Sequence, residues 1–277
     1  MSRNRHFVPE ATQRSLRRLN MLVAGCGSTG GACTQSLVRL GLERFKLADN
    51  GSYELTNLNR QHAFIENIGQ NKAEFHASKM RQINPFIEVE SHPGGISPEN
   101  VSALVEWADL IMDAVDVTSP EGMKMKLLLH ETAHARRKPV LTALDLGFCQ
   151  WGRSYDYRSG KLAPLGGALE TARRAKHPLK ALFSIVPLSA VPAHSLQLIE
   201  DLMKHPERPA SQMGGTSDLL AGIIGPTLIR FAATGELVPG WNINLENLAL
   251  PLSTRLKLLF QAPRLRAEVA RLMRKAD

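Results

Sequence analysis

From Asn20 onward the chain alternates short apolar runs with longer segments of helical spacing, with little between them. "NMLVAGCGSTGG" predicts a buried strand, a glycine loop and the start of a helix that runs through "ACTQSLVRLG" and stops at Gly41. "FKLADN" predicts a second strand, so the first 50 residues trace a βαβ unit. "NKAEFHASKMRQIN" has helical spacing and ends at Asn84-Pro85, and "IEVESH" is a third strand. Ser97 before Pro98 predicts the helix start of "SPENVSALVEWA". "DLIMDAVD" follows as a strand that turns acidic at its C-terminal end, then the helix "EGMKMKLLLHETAHARRK" and the strand "PVLTALDL".

This alternation up to Leu146 implies a Rossmann-like α/β fold, a mostly parallel sheet with helices on both faces. Ligands on such sheets gather at the carboxyl ends of the strands, where Gly25, Asp49 and Asp116 all fall. The pattern then changes. "CQWGRSYDYRSGKL" alternates and predicts an antiparallel hairpin turning at Ser159-Gly160. Residues 163–212 are basic and proline-containing and predict helix plus loop. "GTSDLLAGIIGPTLIRFAATG" predicts a mostly apolar core or dimer helix interrupted by Pro226. "STRLKLLFQAPRLRAEVARLMRK" predicts an amphipathic basic tail broken near Pro263. The expected organisation is a single domain over 1–250, with a nucleotide-binding half at 18–147 and a hairpin and substrate or dimer part at 148–250. The tail occupies 251–277.

Composition narrows the class. No apolar run approaches the roughly 20 residues that span a bilayer. The basic start "MSRNRHFVPEATQRSLRRLN" lacks the apolar core and cleavage site of a signal peptide, so a cytoplasmic protein without a membrane is expected. Cys26, Cys33 and Cys149 form no CxxC pair, so structural zinc and a disulfide framework are not expected. The net charge of +8 is clustered in "RSLRR", "HARRK", "TARRAKHPLK" and the tail. With aromatics at only 5% and no stacking platform, solvated helix faces are preferred over a nucleic-acid surface.

Gly25-Cys26-Gly27-Ser28-Thr29-Gly30 fits GxGxxG between a strand and a helix, where glycines let phosphate or ribose approach the backbone. Asp49 ends the next strand, where a carboxylate meets ribose hydroxyls. These features mark a nucleotide site and leave NAD(P) and ATP open. Further pieces then appear in order: Asn57-Leu58-Asn59-Arg60-Gln61, Gly69-Gln70-Asn71-Lys72, "RQINP" at 81–85, and Asp113-Ala114-Val115-Asp116. With these the chain resembles the ubiquitin-activating-enzyme-like superfamily, the ThiF/MoeB/HesA group of ATP-dependent adenylyltransferases. The resemblance runs from about Arg3 to Leu146, and weakly into the apolar helix at 214–234.

The resemblance implies attack of a carboxylate on the α-phosphate of ATP, giving an acyl adenylate and pyrophosphate. It implies Gly25, Gly27, Gly30, Asp49, Asn57, Asn59, Arg60, Gln61 and Lys72 as nucleotide-binding residues, with Asp49 on the ribose. Arg60 and Lys72 would neutralise the phosphates, Arg60 as a planar fork and Lys72 as a point charge. Asp116 would hold Mg²⁺. Arg3-Asn4-Arg5 resembles an arginine segment that enters the neighbouring subunit's site, which implies a homodimer with Arg5 acting in trans. The implied substrate is the C-terminal glycine carboxylate of a small ubiquitin-like or sulfur-carrier protein. The alternative is a peptide, natural-product or tRNA-borne carboxylate.

Other readings stand beside these. Asp113 reads as structural, Asn57 equally suits capping a turn, and only its place after Gly69-Gln70-Asn71 distinguishes Lys72 from a surface lysine. His62, His130 and His134 form no metal-spaced set. Ser28 stands where the family commonly has a third glycine, and Gly51 where an acidic residue is frequent. No cysteine follows Trp151, and Cys149 sits at the start of a predicted strand, so the acyl adenylate is the expected endpoint, without a thioester cysteine.

Overall fold

In the computed structural model, which describes residues 2–205 and 211–275, seven strands form one sheet. They are β1 (Asn20–Ala24), β2 (Arg44–Ala48), β3 (Glu88–His92), β4 (Leu110–Asp113), β5 (Val140–Leu146), β6 (Cys149–Tyr155) and β7 (Gly240–Asn244). Their order is β3-β2-β1-β4-β5-β6-β7, with the first five parallel and β6 and β7 antiparallel to their neighbours. The helices are α1 (Glu10–Arg18), α2 (Ser28–Leu40), α3 (Lys72–Ile83), α4 (Val101–Trp107), α5 (Pro120–Ala135), α6 (Leu169–Arg174), α7 (Pro178–Ile185), α8 (Ala193–Lys204), α9 (Thr216–Thr234), α10 (Glu246–Ala249) and α11 (Leu252–Lys275). Among the described residues, no helix is long and apolar enough to cross a membrane.

Strand periodicity sorts the apolar residues into two cores. Met21 and Val23 of β1 pack with Met112, Leu141 and Ala143 on one face, covered by Leu16 of α1, Leu37 of α2, Ala77 of α3 and Leu228 of α9. Leu22 and Ala24 point the other way, to Ile111, Val140 and Leu144, under Leu104 of α4, Leu129 of α5, Leu182 of α7, Leu196 of α8 and Leu265 of α11. The layered fold expected from the alternating pattern is therefore present on both faces.

The second core also contains a polar cluster. Asp113 ends β4 fully buried, and its Oδ2 takes hydrogen bonds from Lys126 (α5), His130 Nε2 (2.9 Å) and Thr142 Oγ1 (2.8 Å). Burial pushes its carboxyl up, but Lys126 and the His130 hydrogen bond outweigh this and hold it below the ordinary range. Burial lowers the His130 pKa, favouring the neutral ring. Leu165 N–H then donates to Tyr157 Oη, Tyr157 O–H to His130 Nδ1, and His130 Nε2–H to Asp113, so each donor has an acceptor. The structural reading of Asp113 agrees with this geometry.

Three expectations need correction. The turn at Ser159-Gly160 forms, with Gly160 N–H on Tyr157 O, but the chain continues into a tight turn at Pro164–Gly167 and not into a second strand. The antiparallel neighbours of β6 are instead β5, through the turn at Gly147-Phe148, and the distant β7. Ser97 starts a turn whose amide is capped by Asn100 Oδ1 at 2.9 Å, and α4 begins only at Val101. Neither Pro226 nor Pro263 breaks its helix. Pro226 leaves the carbonyl of Gly222 without its helical donor, while Leu220, Ile224 and Leu228 hold α9 in the core. Pro263 removes the donor for Leu259, on the exposed side, while Leu258, Ala262 and Leu265 hold α11 in the core.

Candidate active site

Several segments meet at the carboxyl edge of the sheet. Gly25 has φ +90°, and a Cβ there would lie 2.2 Å from Ala114 O. At Gly30 it would lie 1.9 Å from Gly25 O. These two glycines are required by packing. Gly27 differs: a Cβ there would meet only Gln61 Nε2, at 3.7 Å. That leaves an open cradle at the N-terminus of α2, whose first amides have no side-chain cap and favour an anion.

Asp49, just beyond β2, is locked by backbone amides. Its Oδ2 accepts from Cys26 N–H (2.6 Å) and its Oδ1 from Gly51 N–H (2.7 Å). Asn71 caps α3 by accepting from Glu74 N–H (3.2 Å) and donates its amide to Asp49 O (3.0 Å). This double role fixes Lys72, the first residue of α3, beside Asp49. A Cβ on Gly51 would lie 3.1 Å from Asp49 Oδ1 and 3.3 Å from Lys72 Nζ, so the glycine at this position makes room for the ammonium. Lys72 Nζ also lies 5.9 Å above the Tyr53 ring. Behind it, His76 bridges Tyr53 Oη (2.9 Å) and Thr34 Oγ1 (3.0 Å), and burial lowers its pKa to about 3.

The loop after Asp49 supplies the cation and the amides. Asn57 is buried and its Oδ1 accepts from Glu54 N–H at 3.1 Å, so its side chain shapes the turn. Asn59 Nδ2 donates to Gln212 O (3.1 Å). Arg60 donates one guanidinium nitrogen to Thr56 O (2.9 Å) and Asn59 Oδ1 (2.7 Å), while its Nε is buried without a partner. Gln61 is buried over Gly27 with Oε1 unpaired. The first turn of α9 holds this loop: Ser217 Oγ donates to Arg60 O (3.4 Å), and His62 meets Asp218 at 2.6 Å.

Opposite lies Asp116, exposed, with Oδ1 accepting from Thr118 N–H (2.9 Å) and Oγ1 (2.8 Å). Asp145, at the end of β5, was not foreseen. Its Oδ2 accepts from Ser28 Oγ and Thr29 Oγ1 (3.2 Å each), and its Oδ1 from Gln150 Nε2 (2.5 Å). Burial raises its pKa against the pull of these bonds and of Arg60. Burial likewise lowers the Arg60 pKa, opposed by Asp145 and then Asp116. The signal in the sequence was a single carboxylate ending the apolar run "VLTALDL".

Gly27, Asp49, Arg60, Gln61, Lys72 and Asp116 thus share one edge. Arg5 does not join them: it is exposed and makes no hydrogen bond or ion pair among the described residues. The orphaned donor Arg60 Nε, with the Gly27 cradle, fits a phosphate, while the orphaned acceptor Gln61 Oε1 fits a hydroxyl or amino group of the same ligand. The described residues contain no group of three or more His, Cys, Asp or Glu able to cage a metal. A lone carboxylate such as Asp116, completed by phosphate oxygens, is the donor set Mg²⁺ takes with a nucleotide. Cys149 is buried with Sγ on Asn242 Oδ1 (2.8 Å), and burial, then Glu246 and Asp145, push its thiol up to about 12. Its thiol is thereby held in the protonated, less nucleophilic form.

A family model described as the ThiF family matches residues 1–158. The chain is 32% identical over 149 residues to an adenylyltransferase and sulfurtransferase of Anopheles gambiae, covering 53% of this chain and 33% of that protein. It is 29% identical over 134 residues to the sulfur carrier protein adenylyltransferase of Thermus thermophilus, covering 48% and 47%. The chain spans less than half the length of these curated relatives. Among solved structures, PaaA superposes with a TM-score of 0.62 at 18% identity, over 86% of this chain and 73% of that one. That likeness extends the shared fold well past residue 158.

Proposed function

This chain belongs to the ThiF family, and on that premise we propose that it is a Mg-ATP-dependent adenylyltransferase that activates a carboxylate. A carboxylate oxygen attacks the α-phosphorus, the bond from that phosphorus to the bridging oxygen breaks, and acyl adenylate and pyrophosphate form. The substrate is the C-terminal glycine carboxylate of a small ubiquitin-like or sulfur-carrier protein, the kind of protein named for the Thermus thermophilus relative. The carrying observation is the buried, unpaired donor Arg60 Nε beside the open cradle at Gly27.

Each residue has a part in this reading. The amides at the start of α2 and the space at Gly27 receive phosphate. Asp49, held by two amides, presents its remaining lone pairs to the ribose. Arg60 and Lys72 offset the charge that grows on the departing pyrophosphate. Asn59 and Gln61 shape the grip without adding charge, and Asn57 sets the turn that carries it. Asp116 is the carboxylate that would hold Mg²⁺, whose contribution is neutralisation of phosphate charge. The acyl adenylate passes to an external nucleophile, without a thioester on this chain.

The working unit is a homodimer, with Arg5 acting in the partner's site. Arg5 is unattached, and Leu55, Phe64, Ile65 and Ile68 around the Asn57–Gln61 loop are exposed apolar residues that a second copy would cover. ATP–pyrophosphate exchange across a panel of carrier proteins and small acids tests the chemistry. Exchange with one class and its loss in Arg60→Ala is expected, and no exchange with any substrate rejects the proposal. In the basic segment 173–180, Arg173 is engaged by Glu131 (2.9 Å) and Glu170 (2.7 Å).

A further inference from the structure

α11 has two apolar faces. Leu258, Ala262, Leu265 and Val269 are buried. Leu252, Leu256, Leu259 and Phe260, spaced by three or four residues, form a second stripe that faces solvent, with Leu259 67% and Phe260 82% exposed. Leu248 of α10, just before it in the chain, is 85% exposed. An apolar surface of this continuity marks an interaction site. Beside it, β7 is the last strand of the sheet, so one of its edges offers unpaired backbone groups. Between β7 and α11 runs a cleft of about 630 Å³, lined by Asn242, Asn244, Leu252, Arg255 and Leu256, among others.

Most of the charge around the stripe is positive. Arg255, Lys257 and Arg264 border it, and none has an ion-pair partner among the described residues. The carboxylate lining the cleft, Glu246, already accepts from His194 N–H (3.0 Å) and Asn244 Nδ2 (3.2 Å). A second copy seated face to face would set these cations against their equivalents, on a chain already at +8. An acidic partner is favoured instead. Register gives the direction: Asn244 pairs with Cys149, and Leu245 N–H donates to Phe148 O, so the cleft opens at the edge that holds Asp145 and the glycine loop.

We infer that the β7–α10–α11 face docks the protein that carries the carboxylate, through an apolar patch rimmed by acidic residues and a strand laid along β7. This rests on the adenylation reading for the identity of the cargo, though not for the existence of the surface. From here the partner's terminus runs along Gly147-Phe148 toward the site.

The test uses small ubiquitin-like and sulfur-carrier proteins ending in Gly-Gly as probes, with the full chain. A carrier is expected to bind without ATP and to slow hydrogen exchange in 240–260. The variant Leu256→Asp/Leu259→Asp should weaken that binding at least about tenfold while ATP affinity is unchanged. Arg255→Glu/Lys257→Glu, which leaves the stripe intact, should weaken it and flatten its salt dependence. Carrier affinity within twofold of the original in both variants overturns the inference. So does failure of every probe to bind, protection confined to other regions, or a dimer that dissociates in the Leu256/Leu259 variant. If a carrier binds and protects this face but no pyrophosphate exchange occurs, the docking surface stands and the adenylation reading falls. If exchange occurs with unaltered carrier KM in both variants, the reverse holds.

Discussion

Asp145 Oδ2 accepts a hydrogen bond from Thr29 Oγ1 at 3.2 Å, which ties the end of β5 to the first turn of α2. A carboxylate at the rim of an anion cradle opposes the ligand that the cradle favours. Asp145→Asn keeps an acceptor for Thr29 and removes the charge. The expected result is an ATP dissociation constant roughly threefold to tenfold lower, read by equilibrium titration. Unchanged or weaker binding would show that the nucleotide does not sense Asp145.

The glycines separate stability from binding. Gly25→Ala places a methyl 2.2 Å from Ala114 O at φ +90°, and should cost at least about 2 kcal/mol in urea unfolding. Gly27→Ala meets nothing closer than 3.7 Å and should leave the unfolding midpoint nearly unaltered while weakening ATP. If both variants lose stability equally, the cradle at Gly27 is not open space.

Lys72→Ala and Asp116→Ala should each lower pyrophosphate exchange about a hundredfold or more with the fold intact by circular dichroism. Full activity in either variant would remove that residue from the proposed chemistry.

The buried ion pair at the end of β4 should be intolerant of half-removal. Lys126→Met leaves Asp113 charged beneath the sheet and is expected to cost about 3–5 kcal/mol. Asp113→Asn should cost a similar amount, and the double variant less than the sum, measured as a denaturation cycle.

Acid should destabilise the fold before the carboxylates titrate. The folded pKa of His76 is depressed to about 3 by burial, below the unfolded value of about 6.5. Between these values the unfolded chain binds the proton and the native chain does not, so stability falls as pH drops through this window. The slope from His76 is at most about 1.4 kcal/mol per pH unit. His130, also depressed, adds in the same direction. Urea midpoints from pH 7 to 5 should fall, less steeply in His76→Gln; equal slopes would show that His76 titrates freely.

Local chemistry made part of this legible in the sequence. Gly41 stops α2 as its position predicts, because a left-handed glycine cap acts within a few residues. The alternation of apolar runs made the parallel sheet readable for the same reason. β7 was missed because "GWNIN" is short and mostly exposed, and its partner lies about ninety residues away. Asp145 was missed because no neighbouring motif marks it and its partners Ser28 and Thr29 lie 117 and 116 residues away, at the start of α2. The prolines misled because packing of α9 and α11 outweighs one missing hydrogen bond each.

The first turn of α9 grips the Arg60 loop through Ser217 and, through Thr216 Oγ1, the carbonyl of Gly147 (2.7 Å). The same helix lies against α2 and against α1, the helix that follows Arg5 along the chain. One helix therefore links the loop that carries Arg60 to the helix that follows Arg5. Under the proposed dimer, a shift of Arg60 toward bound phosphate would pass through α9 to the segment next to Arg5, so that occupancy of one site would be felt at the residue offered to the other.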